Sequence, residues 1–252
     1  MTKDFVCILI INLNKFLCAH RVGRTKRKFL TATMPQNRFK FQVTPHLIKL
    51  AQHSPAVKKQ FFEDPREFED DSFEDPLIEE KYTPTKGLLH KYADRVLILM
   101  TSICSAYCRF CDRKRIVGDA KKGLLEEKDL DAMMKYIKKN NKIREVIFSG
   151  GDPLTNPILL KKCLERFGSL KQIKILRIHT RIPISDPERT NLDFLKIQLK
   201  QPLYIGIHFN HPDEITSETI EICEKLRKAG CILYSHTVFL KDINDNIKTL
   251  TK

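Results

Sequence analysis

From residue 94 onward, short apolar runs alternate with amphipathic stretches, and this alternation most restricts the folds open to the chain. Continuous apolar runs are typical of buried parallel strands, and the stretches between them have the period of crossover helices. The pattern predicts strands at residues 96–100, 145–148, 175–179, 203–208 and 232–240. It predicts helices at residues 126–139, 158–167, 192–199 and 217–228, the last capped by Ser217. These elements indicate a parallel α/β fold, open or barrel-like, whose ligands bind at the carboxyl ends of the strands.

The chain before residue 94 does not show this alternation of apolar runs and amphipathic stretches. Residues 44–59 carry apolar side chains at helical spacing, which predicts a short amphipathic helix. Residues 62–86 are acidic and contain three prolines, which favours an extended connector. We therefore predict three parts: residues 1–33 as a leader or an extension upstream of a true start at Met34, residues 34–93 as a helical and acidic N-terminal segment, and residues 94–252 as the core domain.

The net charge is +14, and its distribution argues against nucleic-acid binding. Residues 1–33 hold seven lysines or arginines and a single aspartate, and the other basic residues are spread along predicted helices as solvated surface charge. The apolar run at residues 5–13 is shorter than the about 20 residues that a membrane span needs. We therefore expect neither nucleic-acid nor membrane partners.

Three of the eight cysteines lie within eight residues, directly after the first predicted strand. From this cysteine loop (residues 101–111), Cys104, Cys108 and Cys111 can bring three thiolates to one compact metal centre. A structural zinc site normally takes four protein ligands, and no fourth cysteine or histidine is close in the sequence. A four-iron cluster held by three cysteines keeps one iron free to bind another group. Zinc with a distant histidine, or three unligated thiols, are the alternatives.

The other five cysteines are scattered among apolar residues and are interpreted as buried or incidental thiols. Cysteines in a chain of this length without a secretory pattern do not indicate a disulfide scaffold, and reduced thiols fit a cytoplasmic protein. These five are Cys7, Cys18, Cys163, Cys223 and Cys231.

A glycine turn (residues 149–152, Ser-Gly-Gly-Asp) follows the second predicted strand. Two glycines at the end of a strand let the backbone approach a bound ligand closely. Because neighbouring parallel strands end at the same edge of a sheet, we expect this turn and the cysteine loop to form one site.

Six motifs occur along the chain in the order that one enzyme family has them. They are GLLHKYADRVLIL at residues 87–99, the cysteine loop with Arg113-Lys114-Arg115, SGGDPL at 149–154, RIHTRIP at 177–183, HFNHPDEI at 208–215 and LKDIND at 240–245. From about Gln42 to its last residue, the chain resembles the lysine 2,3-aminomutase family of radical S-adenosylmethionine (SAM) enzymes.

The resemblance implies a fold and three cofactors. The fold would be a partial (β/α)6 TIM-like barrel without its last βα unit, behind the N-terminal segment. The cofactors would be a [4Fe-4S] cluster, SAM and pyridoxal 5′-phosphate (PLP), with a donor such as flavodoxin or ferredoxin supplying the electron that cleaves SAM. The reaction would move the amino group of L-lysine from C2 to C3, giving β-lysine. The lysine would be free or destined for elongation factor P, and a homo-oligomer is compatible with the family.

The resemblance also implies roles for single residues. The three clustered cysteines would bind the iron, and Arg113 would bind the substrate carboxylate, for which its planar guanidinium is suited. Asp245 would face the distal ammonium of lysine, and Phe110 would pack near the adenine of SAM. The remaining assignments are Ser149, Gly150, Gly151 and Asp152 for the SAM amino group, and Tyr92 and Arg95 for the surroundings of PLP.

Simpler interpretations stay open for several of these residues. They are a surface charge for Arg113, a salt-bridge partner for Arg95 and a core aromatic for Phe110. His179, His208 and His211 lie at or near predicted strand ends. A structural histidine explains each of them equally well, and we assign them no role.

The chain departs from the family pattern in three places. Lys91 stands where arginine is usual, and Ser235-His236-Thr237 replaces a stretch richer in amides. The resemblance would place the lysine that bonds to PLP beyond residue 252, so we expect a shortened chain and assign no catalytic residue. Three functions result: an aminomutase that is a fragment or is completed by a second polypeptide, a SAM-cleaving enzyme without PLP chemistry, or an inactive metal-binding remnant.

Overall fold

A computed structural model of the protein describes residues 39–69 and 73–252; the predicted leader and the start at Met34 lie outside these residues. Its centre is one sheet of six strands: β1 (Leu88–Tyr92), β2 (Arg95–Thr101), β3 (Glu145–Gly150), β4 (Ile175–Thr180), β5 (Leu203–Ile207) and β6 (Ile232–Ser235). The strands lie side by side in chain order. β1 pairs antiparallel with β2, and each later strand pairs in parallel with the one before it.

The parallel strands β2 to β6 confirm the predicted α/β fold. The sheet does not close, because β1 and β6 form its two edges, as in a partial TIM-like barrel. The apolar pattern does not predict β1, since only Leu88 and Leu89 of its residues are buried. β1 precedes residue 94 and pairs with β2, so the sheet extends into the predicted N-terminal segment.

The N-terminal segment forms two helices, α1 (Pro45–His53) and α2 (Pro55–Phe61), where the sequence predicts one. That prediction is wrong because Pro55 has no amide hydrogen to continue α1. Ser54 instead caps α2, accepting a hydrogen bond from a backbone amide of that helix at 3.2 Å. Both helices pack buried side chains against Ala106 of the cysteine loop.

The acidic connector at residues 62–86 is also more structured than predicted. It contains 3-10 turns at Pro65–Glu69 and Glu80–Tyr82. Glu79, which precedes the second turn, is buried. A carboxylate buried in this way needs cationic partners, and the connector therefore packs against the site described below.

Five further helices follow along the chain: α3 (Glu127–Lys139), α4 (Pro157–Gly168), α5 (Ile182–Ser185), α6 (Ser217–Lys228) and α7 (Ile247–Leu250). The buried faces of α3, α4 and α6 share one apolar core with the strands. Thr216 caps α6 by accepting from the Thr219 amide at 3.3 Å, so the prediction that Ser217 is the cap is wrong by one residue. No helix among the described residues is long and apolar enough to cross a membrane.

Two other element predictions are wrong. The strand predicted at 232–240 ends at Ser235: the His236 amide still donates to the Ile207 carbonyl at 2.8 Å, but the Val238 amide donates to a side chain, Oδ1 of Asn210, at 2.9 Å. The helix predicted at 192–199 is a single 3-10 turn, Asp193–Leu195. Leu192, Leu195 and Leu199 do recur at helical spacing, but the backbone leaves the helical path after Lys196, where the Ile197 amide donates to the Leu195 carbonyl at 2.8 Å.

The two faces of the sheet differ in chemistry, and this difference locates the site. In β4, Leu176 and Ile178 are buried in the core under the helices, whereas Arg177 and His179 alternate with them on the opposite face. Nε of Arg177 lies 2.6 Å from a carboxylate oxygen of Glu145 in β3. The face without helices therefore carries polar and charged side chains, as the interior of an open barrel does when it binds polar ligands.

Candidate functional site

The cysteine loop begins at the end of β2, and Cys104, Cys108 and Cys111 are free thiols within it. Burial, and then the neighbouring Cys108, raise the pKa of Cys111 to about 11. Burial also raises the pKa of Cys104 and Cys108. Thiols this basic stay protonated at neutral pH until a metal displaces the proton, which is how thiolate ligands form.

The N-terminal segment holds the outer side of the cysteine loop. Nε2 of Gln42 donates to the carbonyl oxygens of Cys104 at 2.8 Å and Ser105 at 2.9 Å. The amide of Arg109 donates to the carbonyl of Gln60 in α2 at 2.8 Å. The loop is therefore fixed between β2 and the two N-terminal helices by the protein alone.

The glycine turn packs directly against the start of the cysteine loop, so the structure brings the two motifs together. The Gly151 amide donates to the Thr101 carbonyl at 2.5 Å, and the Asp152 amide donates to the Ile103 carbonyl at 2.8 Å. A Cβ on Gly151 would lie 2.7 Å from the nitrogen of Ile103, and Gly150 has a φ of +116°. The glycines are required because the backbone of the cysteine loop comes this close to the turn. The sequence suggests that a bound ligand requires them, and the contact with the loop already explains their presence.

Asp152 connects the glycine turn to the end of β4. Its buried carboxylate accepts from the Thr180 hydroxyl at 2.8 Å and from the amides of Arg181 at 2.7 Å, Ile182 at 3.1 Å and Leu154 at 3.1 Å. Burial raises the pKa of this carboxyl, and the hydrogen bonds reduce that effect. The carboxylate thus sets the relative position of two strand ends, and its contact with SAM stays a prediction.

Arg181 is a site residue that the sequence patterns do not single out. Its guanidinium is buried and donates to Sγ of Cys108 at 3.1 Å, to Gln60 at 2.6 Å and to Glu214 at 2.8 Å. It also lies over the ring of Phe110, 5.2 Å from the centroid. Arg181 belongs to the RIHTRIP motif, but no local signal shows that it turns back to a loop 73 residues earlier in the chain.

Arg113 lies between the glycine turn and the acidic connector. Its Nη2 is 2.6 Å from a carboxylate oxygen of Glu79, and its Nη1 is 3.4 Å from the hydroxyl of Ser149. Glu79 also accepts from Arg115 at 3.4 Å. Arg113 is therefore a paired and largely buried cation, not the solvated surface charge that was its simpler interpretation.

Arg95 begins β2 and Tyr92, the last residue of β1, pairs with it, about 20 Å of strand away from the cysteine loop. The guanidinium of Arg95 makes two hydrogen bonds of 2.9 Å to Asp94, and Tyr92 is exposed beside it. Asp245 is exposed in the loop between β6 and α7, directly after the buried Asn244. The roles of these residues near PLP and the substrate ammonium stay predictions.

Three histidines meet at the carboxyl ends of β4, β5 and β6. His179, His208 and His236 each place one ring nitrogen within 4.8 Å of the other two. Burial, and then neighbouring histidines and arginines, lower the pKa of His179 and His208, and burial and nearby arginines lower that of His236. His211 does not join this group, because its Nδ1 accepts from the Asp213 amide at 3.2 Å. The sequence places two of the three at strand ends without showing that they meet.

A family model described as the radical SAM superfamily matches residues 98–251. The match begins inside β2 and includes the cysteine loop, the glycine turn and every later strand. The chain belongs to the radical SAM superfamily. Membership implies SAM and a [4Fe-4S] cluster.

The cysteines of this radical SAM chain fit a cluster held by three thiolates. They are free, and largely removed from water. Two of them face N–H donors: Arg181 donates to Cys108 at 3.1 Å, and the Arg113 amide donates to Sγ of Cys111 at 3.4 Å. Such donors suit thiolates, because a neutral thiol is a weak acceptor.

The curated relatives of this radical SAM chain include several 2,3-aminomutases, which confirms the resemblance predicted from the six motifs. It is 40% identical to L-lysine 2,3-aminomutase of Bacillus subtilis over 181 residues, or 71% of this chain and 38% of the relative. It is 34% identical to L-lysine 2,3-aminomutase of Fusobacterium nucleatum over 217 residues, 83% of this chain and 51% of the relative. It is 36% identical to glutamate 2,3-aminomutase of Clostridioides difficile over 178 residues, 68% of this chain and 41% of the relative. The chain spans about half the length of these relatives, or less.

Proposed function

We propose that this chain provides the cluster and SAM sites of a 2,3-aminomutase that moves the 2-amino group of L-lysine to C3. One observation carries the proposal: the loop with three free cysteines is hydrogen-bonded to the glycine turn where β2 and β3 end, at the carboxyl ends of the strands of an open α/β sheet. The similarity to L-lysine and glutamate 2,3-aminomutases supports the reaction class. In its proposed place beside the distal group of the substrate, Asp245 would favour lysine over glutamate, because a carboxylate attracts a distal ammonium and repels a distal carboxylate.

The cysteine loop is proposed to hold the cluster in a water-poor space. When bound, the [4Fe-4S] cluster supplies the electron that cleaves SAM. The chain holds the three thiolates, and Arg181 stabilises negative charge at Cys108. A hydrogen bond to a cluster sulfur raises the reduction potential, so Arg181 favours reduction by a donor such as flavodoxin or ferredoxin.

SAM is proposed to bind across the cysteine loop and the glycine turn. Ser149, Gly150 and Gly151 would contact its amino group. Asp152 would act mainly by fixing the turn, because its carboxylate already accepts bonds from four protein donors. Phe110 would pack against the adenine, with its ring held by the guanidinium of Arg181.

Arg113 is proposed to bind the substrate carboxylate while it remains paired with Glu79. Glu79 accepts from Nε and Nη2 of this guanidinium at 3.1 Å and 2.6 Å. Nη1 has a weaker contact, 3.4 Å from the hydroxyl of Ser149. The Nη1 edge is therefore the one proposed to receive the substrate, while the Glu79 ion pair holds the side chain in place.

PLP fits the described residues poorly. Arg95, its proposed partner, is already paired with Asp94 through two hydrogen bonds, and Tyr92 is exposed. We derive no step through PLP. The pairing of Arg95 favours a second candidate function, a SAM-cleaving radical enzyme without PLP chemistry.

An anaerobic product assay separates these functions. The protein would be reconstituted with iron and sulfide, reduced, and incubated with SAM and L-lysine or L-glutamate, with and without PLP. PLP-dependent β-lysine would support the aminomutase, and 5′-deoxyadenosine without a β-amino acid would support the second candidate. Neither product from a protein that holds its cluster would overturn both. Cys108→Ala should abolish every product, because it removes a cluster ligand.

A further inference from the structure

The histidine cluster (His179, His208 and His236) is used by no step of the proposed function. Its members come from the ends of three neighbouring parallel strands and place one ring nitrogen each within 4.8 Å of the other two. The rings lie close together but are inclined to each other: the centroids of His208 and His236 are 4.1 Å apart with the planes at 50°, and those of His179 and His236 are 4.8 Å apart with the planes at 60°. We propose that the histidine cluster binds one divalent transition-metal ion of the zinc class.

The backbone under the histidine cluster is fixed, so small ring rotations suffice to complete a metal site. The His208 amide donates to the Thr180 carbonyl at 3.0 Å, and the His236 amide donates to the Ile207 carbonyl at 2.8 Å. Zinc–nitrogen bonds of about 2.0–2.1 Å in a tetrahedral centre place the nitrogens roughly 3.4 Å apart. The nitrogens lie within 4.8 Å of one another, so imidazole rotation has to shorten these distances by up to about 1.4 Å.

Two polar contacts of the cluster are those expected around a ligating imidazole. Nδ1 of His236 is buried and has no hydrogen-bond partner among the described residues. A buried nitrogen of this kind is costly unless something binds it. The hydroxyl of Tyr234 contacts Nε2 of His179 at 2.6 Å, and outer partners of this type orient the rings of metal-binding histidines.

The charges around the cluster do not exclude a cation. Three arginines act electrostatically on these histidines, and each forms an ion pair with a carboxylate. The pairs are Arg113 with Glu79 at 2.6 Å, Arg177 with Glu145 at 2.6 Å and Arg181 with Glu214 at 2.8 Å. A divalent ion would therefore meet paired charges instead of three free cations.

The ligand set indicates the class of metal. Three neutral imidazoles suit zinc and its neighbours in the transition series, whereas magnesium and calcium prefer oxygen ligands. Three protein ligands leave a fourth position for water or for a small molecule with a carboxylate or amine. The three ligands of this site are not residues of the cysteine loop, and the proposal does not depend on the aminomutase reaction.

Cobalt(II) binding to the full chain tests the proposal. In a Cys104→Ala/Cys108→Ala/Cys111→Ala background, which removes the thiols of the cysteine loop, we expect one cobalt per chain. Its spectrum should show visible bands of a nitrogen-ligated ion without a thiolate charge-transfer band, and zinc should displace it. His236→Gln in the same background should weaken cobalt binding at least tenfold, and the exposed His53→Gln should not change it.

A second measurement guards against a misfolded variant. The wild-type protein, reconstituted anaerobically with iron and sulfide and then dialysed against zinc, should contain about one zinc in addition to its iron, and His236→Gln should lose the zinc alone. Three results would each overturn the site. They are a folded triple variant that does not bind one cobalt per chain, a cobalt spectrum with a thiolate charge-transfer band, and cobalt binding that His236→Gln leaves unchanged. Because the cobalt test lacks the cluster, failure of the cluster and failure of this site are distinguishable.

Discussion

At the scale of single residues, the site depends on buried charges that are paired with one another. Glu214 is fully buried, and its Oε1 accepts from Arg181 at 2.8 Å and from Gln60 at 2.7 Å. Arg181 in turn bonds to Cys108. Removing one partner of a buried ion pair leaves the other charge uncompensated, which costs far more than the pair itself contributes.

We expect Arg181→Gln to lower the free energy of unfolding by about 3–5 kcal/mol, because Glu214 would remain buried without a cation. Denaturant unfolding at neutral pH, followed by circular dichroism, measures this change. Arg189→Gln alters an exposed arginine and should change the free energy by less than about 0.5 kcal/mol. Equal effects of the two substitutions would contradict the role assigned to Arg181.

Gly151→Ala tests the packing of the glycine turn on the cysteine loop. The new Cβ would lie 2.7 Å from the nitrogen of Ile103, so the backbone that leads to Cys104 must move. We expect the iron and acid-labile sulfide bound after reconstitution to fall to less than about half of the wild-type amount. The loss is this large because a shift of the backbone costs more free energy than the adjustment of a side chain. Chemical analysis of both elements per chain measures it.

Gly168→Ala, at the end of α4, is the matched control. The nearest atoms to its Cβ belong to side chains, at 3.3 Å or more. This variant should bind iron as the wild type does. Full iron content in Gly151→Ala would show that the cysteine loop does not depend on the turn.

At the scale of elements, the cysteine loop is held from two sides. β2 and the glycine turn fix its beginning, and the N-terminal segment covers it through Gln42, Gln60 and the buried helix side chains that pack on Ala106 of the loop. This covering role explains why α1 and α2 exist in a segment that the strand pattern leaves unassigned. Their function is to restrict the loop that carries the cysteines.

Gln42→Ala should loosen the cysteine loop. It removes two hydrogen bonds, to the carbonyls of Cys104 and Ser105, and each is worth about 1 kcal/mol. We expect faster amide hydrogen exchange in the peptide that contains residues 104–111, measured by mass spectrometry. Gln201→Ala is the control, because Gln201 also donates to two carbonyls, those of Gly168 and Ile173. Faster exchange at residues 104–111 in both variants, or in neither, would contradict this role.

The elements that the sequence predicts correctly are those with a local cause. Continuous apolar runs predict β2 to β5, and amphipathic spacing predicts α3, α4 and α6. The errors have tertiary causes or single-residue causes. Pro55 divides one predicted helix into two, and after Ser235 the Val238 amide donates to the side chain of Asn210 instead of a neighbouring strand.

At the scale of the whole molecule, the open sheet gathers the ends of five parallel strands at one edge. The sequence predicts the two motifs that are contiguous there, the cysteine loop and the glycine turn. It does not predict Glu79, Arg181 or His236 as members of the site, because their contacts join residues that are far apart in the chain. A functional site formed by one loop can be predicted from the spacing of its residues in the sequence. A site whose residues the fold brings together from distant parts of the chain cannot.

The central claim is that Cys104, Cys108 and Cys111 hold a [4Fe-4S] cluster with one iron open to SAM. The most direct test is electron paramagnetic resonance of the anaerobically reconstituted and reduced protein, recorded with and without SAM. We predict a reduced four-iron signal that changes when SAM is added and that Cys108→Ala abolishes. A protein that holds no cluster, or a cluster signal that SAM leaves unchanged, would contradict the claim.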